Sequence, residues 1–226
     1  MSRVPASQQG EPNEPDSPAP DRYRWLLLFG VWFLYFAFGL TLVAMAPLIG
    51  AIRADLNLSD SAMGLVLGAW PLVYIASAMP CGAFLDRVGP RRALFAAAVI
   101  IALSAAARGL ANDQLSLFLA VALFGIGGPL ISIGAPKLVS LSFEGADRGM
   151  AMGIYITGPA LGGIGALALT NSVVMPLLDQ NWRYVMFVYA GVSLFTGLVW
   201  LAINRHPQAR TLERLAMTDR GQSQLK

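Results

Sequence analysis

The chain has 226 residues, of which 56% are hydrophobic and only 13% charged. A soluble globular domain carries about 25% charged residues, so this chain has too few to cover a water-facing surface and is solvated by lipid. One cysteine and one histidine exclude an internal disulfide, a multi-cysteine metal site and histidine-based metal or base chemistry, and a net charge of only +3 gives no support to a nucleic-acid partner.

Residues 1–24 hold Pro5, Pro12, Pro15, Pro18 and Pro20 among polar and acidic side chains. That composition predicts a disordered arm rather than a secretory signal. Six stretches without an ionisable residue follow: 25–52, 61–85, 93–107, 114–136, 149–178 and 184–204. A helix needs about 20 apolar residues to cross a bilayer, and five of the six reach that length. The third is short between Arg92 and Arg108, but arginine side chains reach the headgroups from inside a helix end. The prediction is an all-α membrane protein with six transmembrane helices over 25–204, followed by a polar tail over 205–226. The alternation of a β-barrel is missing.

Six crossings put both termini on one side. Of the sixteen Lys and Arg residues, only Arg53, Arg108 and Arg183 fall on the other. This bias predicts cytoplasmic termini in a multi-pass protein of the plasma (inner) membrane.

Aromatic residues crowd the first span as Trp32, Phe33, Tyr35 and Phe36, and the second as Trp70 and Tyr74. With Ser132, Tyr155 and Asn171 they suggest an aromatic, weakly polar cavity. Trp25, Trp182 and Trp200 lie near span ends and read as interfacial anchors. Gly64 and Gly68 in the second span, and Gly158 and Gly162 in the fifth, are spaced for close helix approach, either inside one protomer or against a partner subunit. No Asp or Glu lies within any span; Asp86 sits just beyond the second. Arg108 and Lys137 are either interfacial anchors or charges facing a central cavity. Lys137 has the stronger claim to the cavity because Pro136 loosens the helix before it. Without a membrane-embedded histidine or acid there is no intramembrane protease chemistry, and an enzyme is a poor reading.

The loop between the second and third spans reads Gly82-Ala83-Phe84-Leu85-Asp86-Arg87-Val88-Gly89-Pro90-Arg91-Arg92-Ala93-Leu94. It resembles motif A of the major facilitator superfamily, matching at Gly82, Asp86, Arg87, Gly89, Arg91 and Leu94. Phe84, Leu85 and Pro90 depart from the pattern, and Arg92 restores a basic residue. The resemblance implies the N-terminal half of that fold, two three-helix inverted repeats, with a cavity lined by spans one, two, four and five. It also implies a gate built from Gly82, Asp86, Arg87, Gly89, Arg91 and Arg92 against Asp147 and Arg148. Val121 stands where the family's motif B carries an arginine, and Gly158-Pro159-Ala160-Leu161-Gly162-Gly163 resembles an antiporter motif but comes early in its helix.

The family has about twelve helices in two six-helix halves, and this chain supplies six. The expectation is therefore a half-length secondary-active transporter of a small organic solute, neutral, amphiphilic or anionic rather than cationic. It would work by alternating access as a homodimer in the lipid bilayer. No cofactor is expected, and proton coupling stays open. Family geometry sets the second span of one copy against the fifth of the other, with Gly64, Gly68, Gly158 and Gly162 at the interface and Asp86 latching near the other copy's Arg148. The rival readings are a non-transporting membrane scaffold or regulator, and one half of a split hetero-dimeric transporter.

Overall fold

A computed structural model describes residues 21–205. Of the expected N-terminal arm over 1–24, residues 1–20 lie outside the described residues, as does the tail from 206, whereas residues 21–24 form the first turn of the first helix rather than part of an arm. Six helical spans are long and apolar enough to cross a membrane. The first is α1 (Asp21–Val43), a 3-10 turn (Ala46–Leu48) and α2 (Ile49–Leu56). Pro47 has no N–H for the carbonyl of Val43, so the α-helix breaks there. Asn57, at φ 50°, ends α2 with its N–H on the Arg53 carbonyl.

The second and third spans are α3 (Asp60–Val88) and α4 (Pro90–Gly109). Ser59 caps α3, its Oγ accepting from the Ala62 N–H at 3.1 Å. Only Gly89 separates the two helices. Its φ of 85° is open to glycine, and Pro90 pre-sets the first turn of α4. The third span thus reaches a full 20 residues by taking Arg91, Arg92 and Arg108 into the helix.

The fourth and fifth spans are α5 (Gln114–Ser142) and α6 (Gly145–Leu169). The latter runs through a π-helical turn (Thr170–Val174) into α7 (Met175–Leu177), and the sixth span is α8 (Trp182–Ile203). Asp113 and Ser116 form a capping box at the start of α5. The Ser116 hydroxyl and backbone N–H hold the Asp113 carboxyl below the ordinary carboxylate range.

The packing pattern has an internal symmetry. α1 packs chiefly on α6, α3 on α5, α4 on both α5 and α8, and α1 also on α8. Exchanging spans one to three with spans four to six turns the α1–α6 contact into α5–α3, and α4–α5 into α8–α1, while α4–α8 maps onto itself. This is the contact pattern of two three-helix repeats. Hydrocarbon offers helices no hydrophobic reason to associate, so close backbone approach and van der Waals packing hold the unit together. The crossings are tight. A Cβ at Gly39 would lie 2.1 Å from the Pro159 carbonyl oxygen, one at Gly162 would lie 2.1 Å from that of Phe36, and one at Gly125 would lie 2.6 Å from that of Trp70.

Two of the glycines expected at a partner interface are therefore consumed inside the unit. Gly158 and Gly162 both face α1 of the same chain, because the α1–α6 crossing needs them. Gly64 and Gly68 on α3 have nothing within 4 Å of a built Cβ.

The core forms two apolar clusters. One joins Leu27, Leu34, Leu94, Phe124 and Trp200 toward the end that bears the termini. The other joins Leu48, Ile52, Leu117, Val185 and Met186 toward the opposite end. Between them, where α1, α4 and α8 meet, lie buried polar side chains: Thr41, Ser104, Arg108 and Ser193. Thr41 and Ser193 share a hydroxyl–hydroxyl hydrogen bond at 3.0 Å, and the Ser104 hydroxyl donates to the Ala120 carbonyl at 2.7 Å.

Trp182 and Trp200 correct the anchor expectation. They are 4% and 1% exposed, and both are hydrogen-bonded inside the protein, Trp182 to the Asp55 carboxylate and Trp200 to the Arg91 carbonyl. Trp25, at 38% exposure, stays at the surface. Opposite the termini, Asp55 pairs with Arg183, whose Nη2 donates to the Ala111 carbonyl at 2.8 Å. That cluster ties together the three loops of this end.

Candidate functional site

A cavity of about 420 Å³ opens on one flank of the unit. Its wall comes from α1 (Tyr35, Phe38, Leu42), α3 (Trp70, Pro71, Tyr74, Ile75), α5 (Ser132) and α6 (Tyr155, Ile156). These are the four spans the sequence implied. The α1 residues follow an i, i+3, i+7 spacing that keeps them on one helix face. Pro71 inside α3 removes a helical hydrogen bond beside Trp70 and Tyr74.

The wall is aromatic and weakly polar, with no charged side chain. Tyr74 and Ser132 share a hydrogen bond at 2.6 Å, and Ser132 also donates to the Gly128 carbonyl at 2.9 Å. The rings of Tyr35 and Tyr155 stand edge to face at 5.4 Å, and Trp70 meets Tyr74 in the same manner at 6.2 Å. A solute here meets flat apolar faces with hydroxyls for orientation.

Of the expected cavity residues, Tyr35, Trp70, Tyr74, Ser132 and Tyr155 come together in this wall, and four do not. Trp32 donates to the Thr157 hydroxyl at 3.0 Å and, with Phe29, Phe33 and Phe36, forms an aromatic row on another flank of α1. That row ends against Phe195 of α8. Asn171 donates to the Pro47 carbonyl at 3.0 Å and ties the π-helical turn to the break in the first span. Lys137 points away from the cavity and pairs with Asp86 at 3.0 Å. Phe38, Leu42, Pro71, Ile75 and Ile156 went unforeseen. They are apolar residues among apolar neighbours, and in lipid the outer and inner faces of a helix carry the same hydrophobic signal.

The Asp86–Lys137 pair joins the ends of α3 and α5 on the side of the termini, with the two side chains 53% and 32% exposed respectively. Arg87, Asp147 and Arg148 are exposed at the same end. Gly82 is loosely packed, its nearest neighbour 4.0 Å from a built Cβ. Arg91 departs from the gate expectation, since its Nε donates to the Asn204 side-chain oxygen at 2.6 Å. It serves the α4–α8 contact.

Arg108 answers the question the sequence left open. It is 2% exposed, so it is not an interfacial anchor. Its Nη1 donates to the Thr41 carbonyl at 3.0 Å, one of the carbonyls left over where α1 ends. The negative end of that helix favours a cation. Nε has no partner, and no carboxylate pairs with the guanidinium among the described residues. Its carbon lies 5.1 Å from the centre of the Phe124 ring. Phe124 in turn stacks on Phe38 at 5.2 Å and meets Trp70 edge-on at 6.1 Å, and both of these line the cavity. A positive charge therefore sits one aromatic layer beneath the cavity floor.

A family model described as the Major Facilitator Superfamily matches residues 27–220. An uncharacterized transporter, YycB, of Bacillus subtilis is 28% identical over 186 residues, covering 80% of this chain and 44% of the relative. A D-galactonate transporter of Escherichia coli is 25% identical over 190 residues, covering 84% and 43%. Among solved structures, a bacterial homolog of the human lysosomal transporter Spinster, inward-facing and occupied, superposes with a TM-score of 0.71 at 20% identity, covering 84% of this chain and 46% of that one. The chain thus spans less than half the length of the relatives it matches. These relatives are transporters, not enzymes.

Proposed function

The chain belongs to the Major Facilitator Superfamily, and on that premise we propose that it carries a small organic acid across the membrane by alternating access, two copies facing each other across one path. The open cavity carries this reading. Its wall comes from four helices and, among the described residues, no further helix of the unit covers its mouth, so a solute held by one copy alone would lie against hydrocarbon rather than in an enclosed path. The flanking spans α3 and α6 are the least buried of the six, and Gly64 and Gly68 stand open on α3. A second six-helix unit in the same orientation, related by an axis along the membrane normal, sets α3 of one against α6 of the other. The end that bears the termini is cytoplasmic on the positive-inside count. Anionic substrate chemistry is supported by the uncompensated charge of Arg108 beneath the floor, and by a relative named for D-galactonate.

The test is native mass spectrometry from mild detergent, with Gly64→Leu plus Gly68→Leu as the variant. The expected result is a wild-type dimer, and a variant that is monomeric yet still a folded, monodisperse unit, because a Cβ at either position meets no atom within 4 Å. A monomeric wild type sinks the two-copy reading and turns the search to a different chain, or a longer one, that supplies the second half.

The Asp86–Lys137 pair serves as one position of the inner gate, the other being the first turn of α6 in the opposite copy, near Arg148. A half-exposed pair is worth at most about 1 kcal/mol. Asp86→Asn is therefore expected to leave melting and dimerisation almost unchanged while slowing solute uptake in proteoliposomes. Uptake at the wild-type rate would rule out the latch.

A further inference from the structure

We propose that the groove between the first turns of α4 and the end of α8 binds the phosphate headgroup of an anionic glycerophospholipid. The groove holds about 260 Å³ and lies on the α4–α8 flank, separate from the solute cavity. Three arginines line it, Arg91, Arg92 and Arg205, and no acidic side chain stands among its described lining residues.

Its base is built rather than incidental. Arg91 is fixed by Asn204 through Nε on the side-chain oxygen at 2.6 Å and through Nη2 on the backbone carbonyl. Asn204 donates to the Trp200 carbonyl at 2.7 Å, and Trp200 Nε1 donates to the Arg91 carbonyl at 3.0 Å. This ring of bonds holds one guanidinium in place, while Arg92 and Arg205 are exposed and free to close on a ligand. The positive end of α4 adds to the field.

The polarity of the groove points to an amphiphile rather than a free anion. Leu201 lines it, and Leu194, Leu198 and Leu201 repeat at helical spacing along α8 with 45%, 52% and 36% exposure. A charged pocket at the membrane surface thus continues into an apolar stripe running toward the middle of the bilayer. That is the layout of a phosphate head with its acyl chains, and basic pockets between helices on the cytoplasmic side take such headgroups. A transported solute has no use for the stripe, and the gate at Asp86 lies on α3 and α5, away from it.

The experiment uses the full chain, delipidated in detergent, titrated by native mass spectrometry and thermal melting with phosphatidylglycerol, phosphatidylcholine or inorganic phosphate. The expected result is at least tenfold tighter binding and a higher melting temperature with phosphatidylglycerol, and no effect of phosphate alone. Arg92→Gln with Arg205→Gln should lower phosphatidylglycerol affinity at least tenfold and leave phosphatidylcholine unaffected, whereas the distant Arg148→Gln changes neither. Equal binding of the two lipids overturns the proposal, as does an unchanged double variant or an equal loss in Arg148→Gln. Stabilisation by phosphate alone would make it a free-anion site and overturn the lipid assignment. A photoreactive phosphatidylglycerol on the wild-type protein gives an independent reading: cross-links at 91–95 or 198–205 support the site, and cross-links confined elsewhere refute it.

Discussion

Gly162→Leu is expected to abolish the folded six-helix unit, whereas Gly64→Leu, with the same change of side chain, is expected to leave it intact. The difference lies in what each new Cβ meets. At Gly162 it would lie 2.1 Å from the Phe36 carbonyl oxygen and 2.7 Å from the Leu40 nitrogen. Both are backbone atoms, so no rotamer change relieves the clash and α1 must move away from α6. Overpacking a well-packed core costs about 1–3 kcal/mol even where side chains can yield. Here the rest of the leucine follows the Cβ into a crossing with no room, and the loss is about 3 kcal/mol or more. The α1–α6 contact is one of the two largest in the unit, and in lipid it is held by close packing, with the Trp32–Thr157 hydrogen bond beside it. At Gly64 the same Cβ meets no atom within 4 Å. Fluorescence-detected size exclusion of the two variants after a temperature series separates these outcomes, with loss of the monodisperse peak expected for Gly162→Leu alone. Equal melting of both variants would mean that α1 and α6 do not cross at this point.

The second large effect concerns selectivity rather than folding. Arg108→Met is expected to melt close to the wild type and to lose the preference for anionic over neutral solutes proposed for the cavity. Burying a guanidinium without a carboxylate is costly by several kcal/mol, and methionine removes that cost with a shorter apolar side chain that fills the space of the arginine stem. What is forfeited is one charge-assisted hydrogen bond to the Thr41 carbonyl, about 1.5–3 kcal/mol, so the net change in stability is small. The cavity loses its charge. Spacings of 5.1 Å from the guanidinium to Phe124 and 5.2 Å from Phe124 to Phe38 put the charge about 10 Å from the wall. At an effective dielectric constant of about 20 that is worth about 1.7 kcal/mol to a singly charged solute, a factor of roughly 15 to 20. The measurement is binding of D-galactonate against its neutral analogue galactitol, with Arg108→Lys as the variant that keeps the charge. Retained discrimination in Arg108→Met would remove Arg108 from substrate recognition. A large loss of stability would instead make it a structural clamp for the end of α1.

The spans were legible from charge spacing alone, but the helix starts came from the structure: Ser59, Asp113 and Asn181 each offer an oxygen to an open amide. Gly89 and Pro90 separate α3 from α4 because one admits positive φ and the other opens a helix. The site was legible only in part. Tyr35, Trp70, Tyr74, Ser132 and Tyr155 stood out as aromatic or polar residues in apolar spans, and they do line the cavity. Trp32 and Asn171 stood out equally and do not, since a hydrogen bond to Thr157 and one to Pro47 satisfy them elsewhere. Lys137 was assigned to the cavity on the strength of Pro136, but its ammonium finds Asp86, a partner fifty-one residues away that no local pattern connects to it.

Composition and charge spacing by themselves determined that the chain lives in lipid and forms six spans, because the bilayer sets both the length of an apolar helix and the cost of a charge inside it. The loop after the second span was sufficient to suggest the superfamily. Which face of each helix turns inward was decided only by the tertiary structure. Water marks the outside of a soluble helix with polar residues, whereas lipid is as apolar as a protein interior and leaves no such mark. Hence Gly158 and Gly162 could not be told from Gly64 and Gly68 until the α1–α6 crossing was seen. The burial of Arg108 beneath Phe124 likewise emerged only once α1, α4 and α5 were placed together.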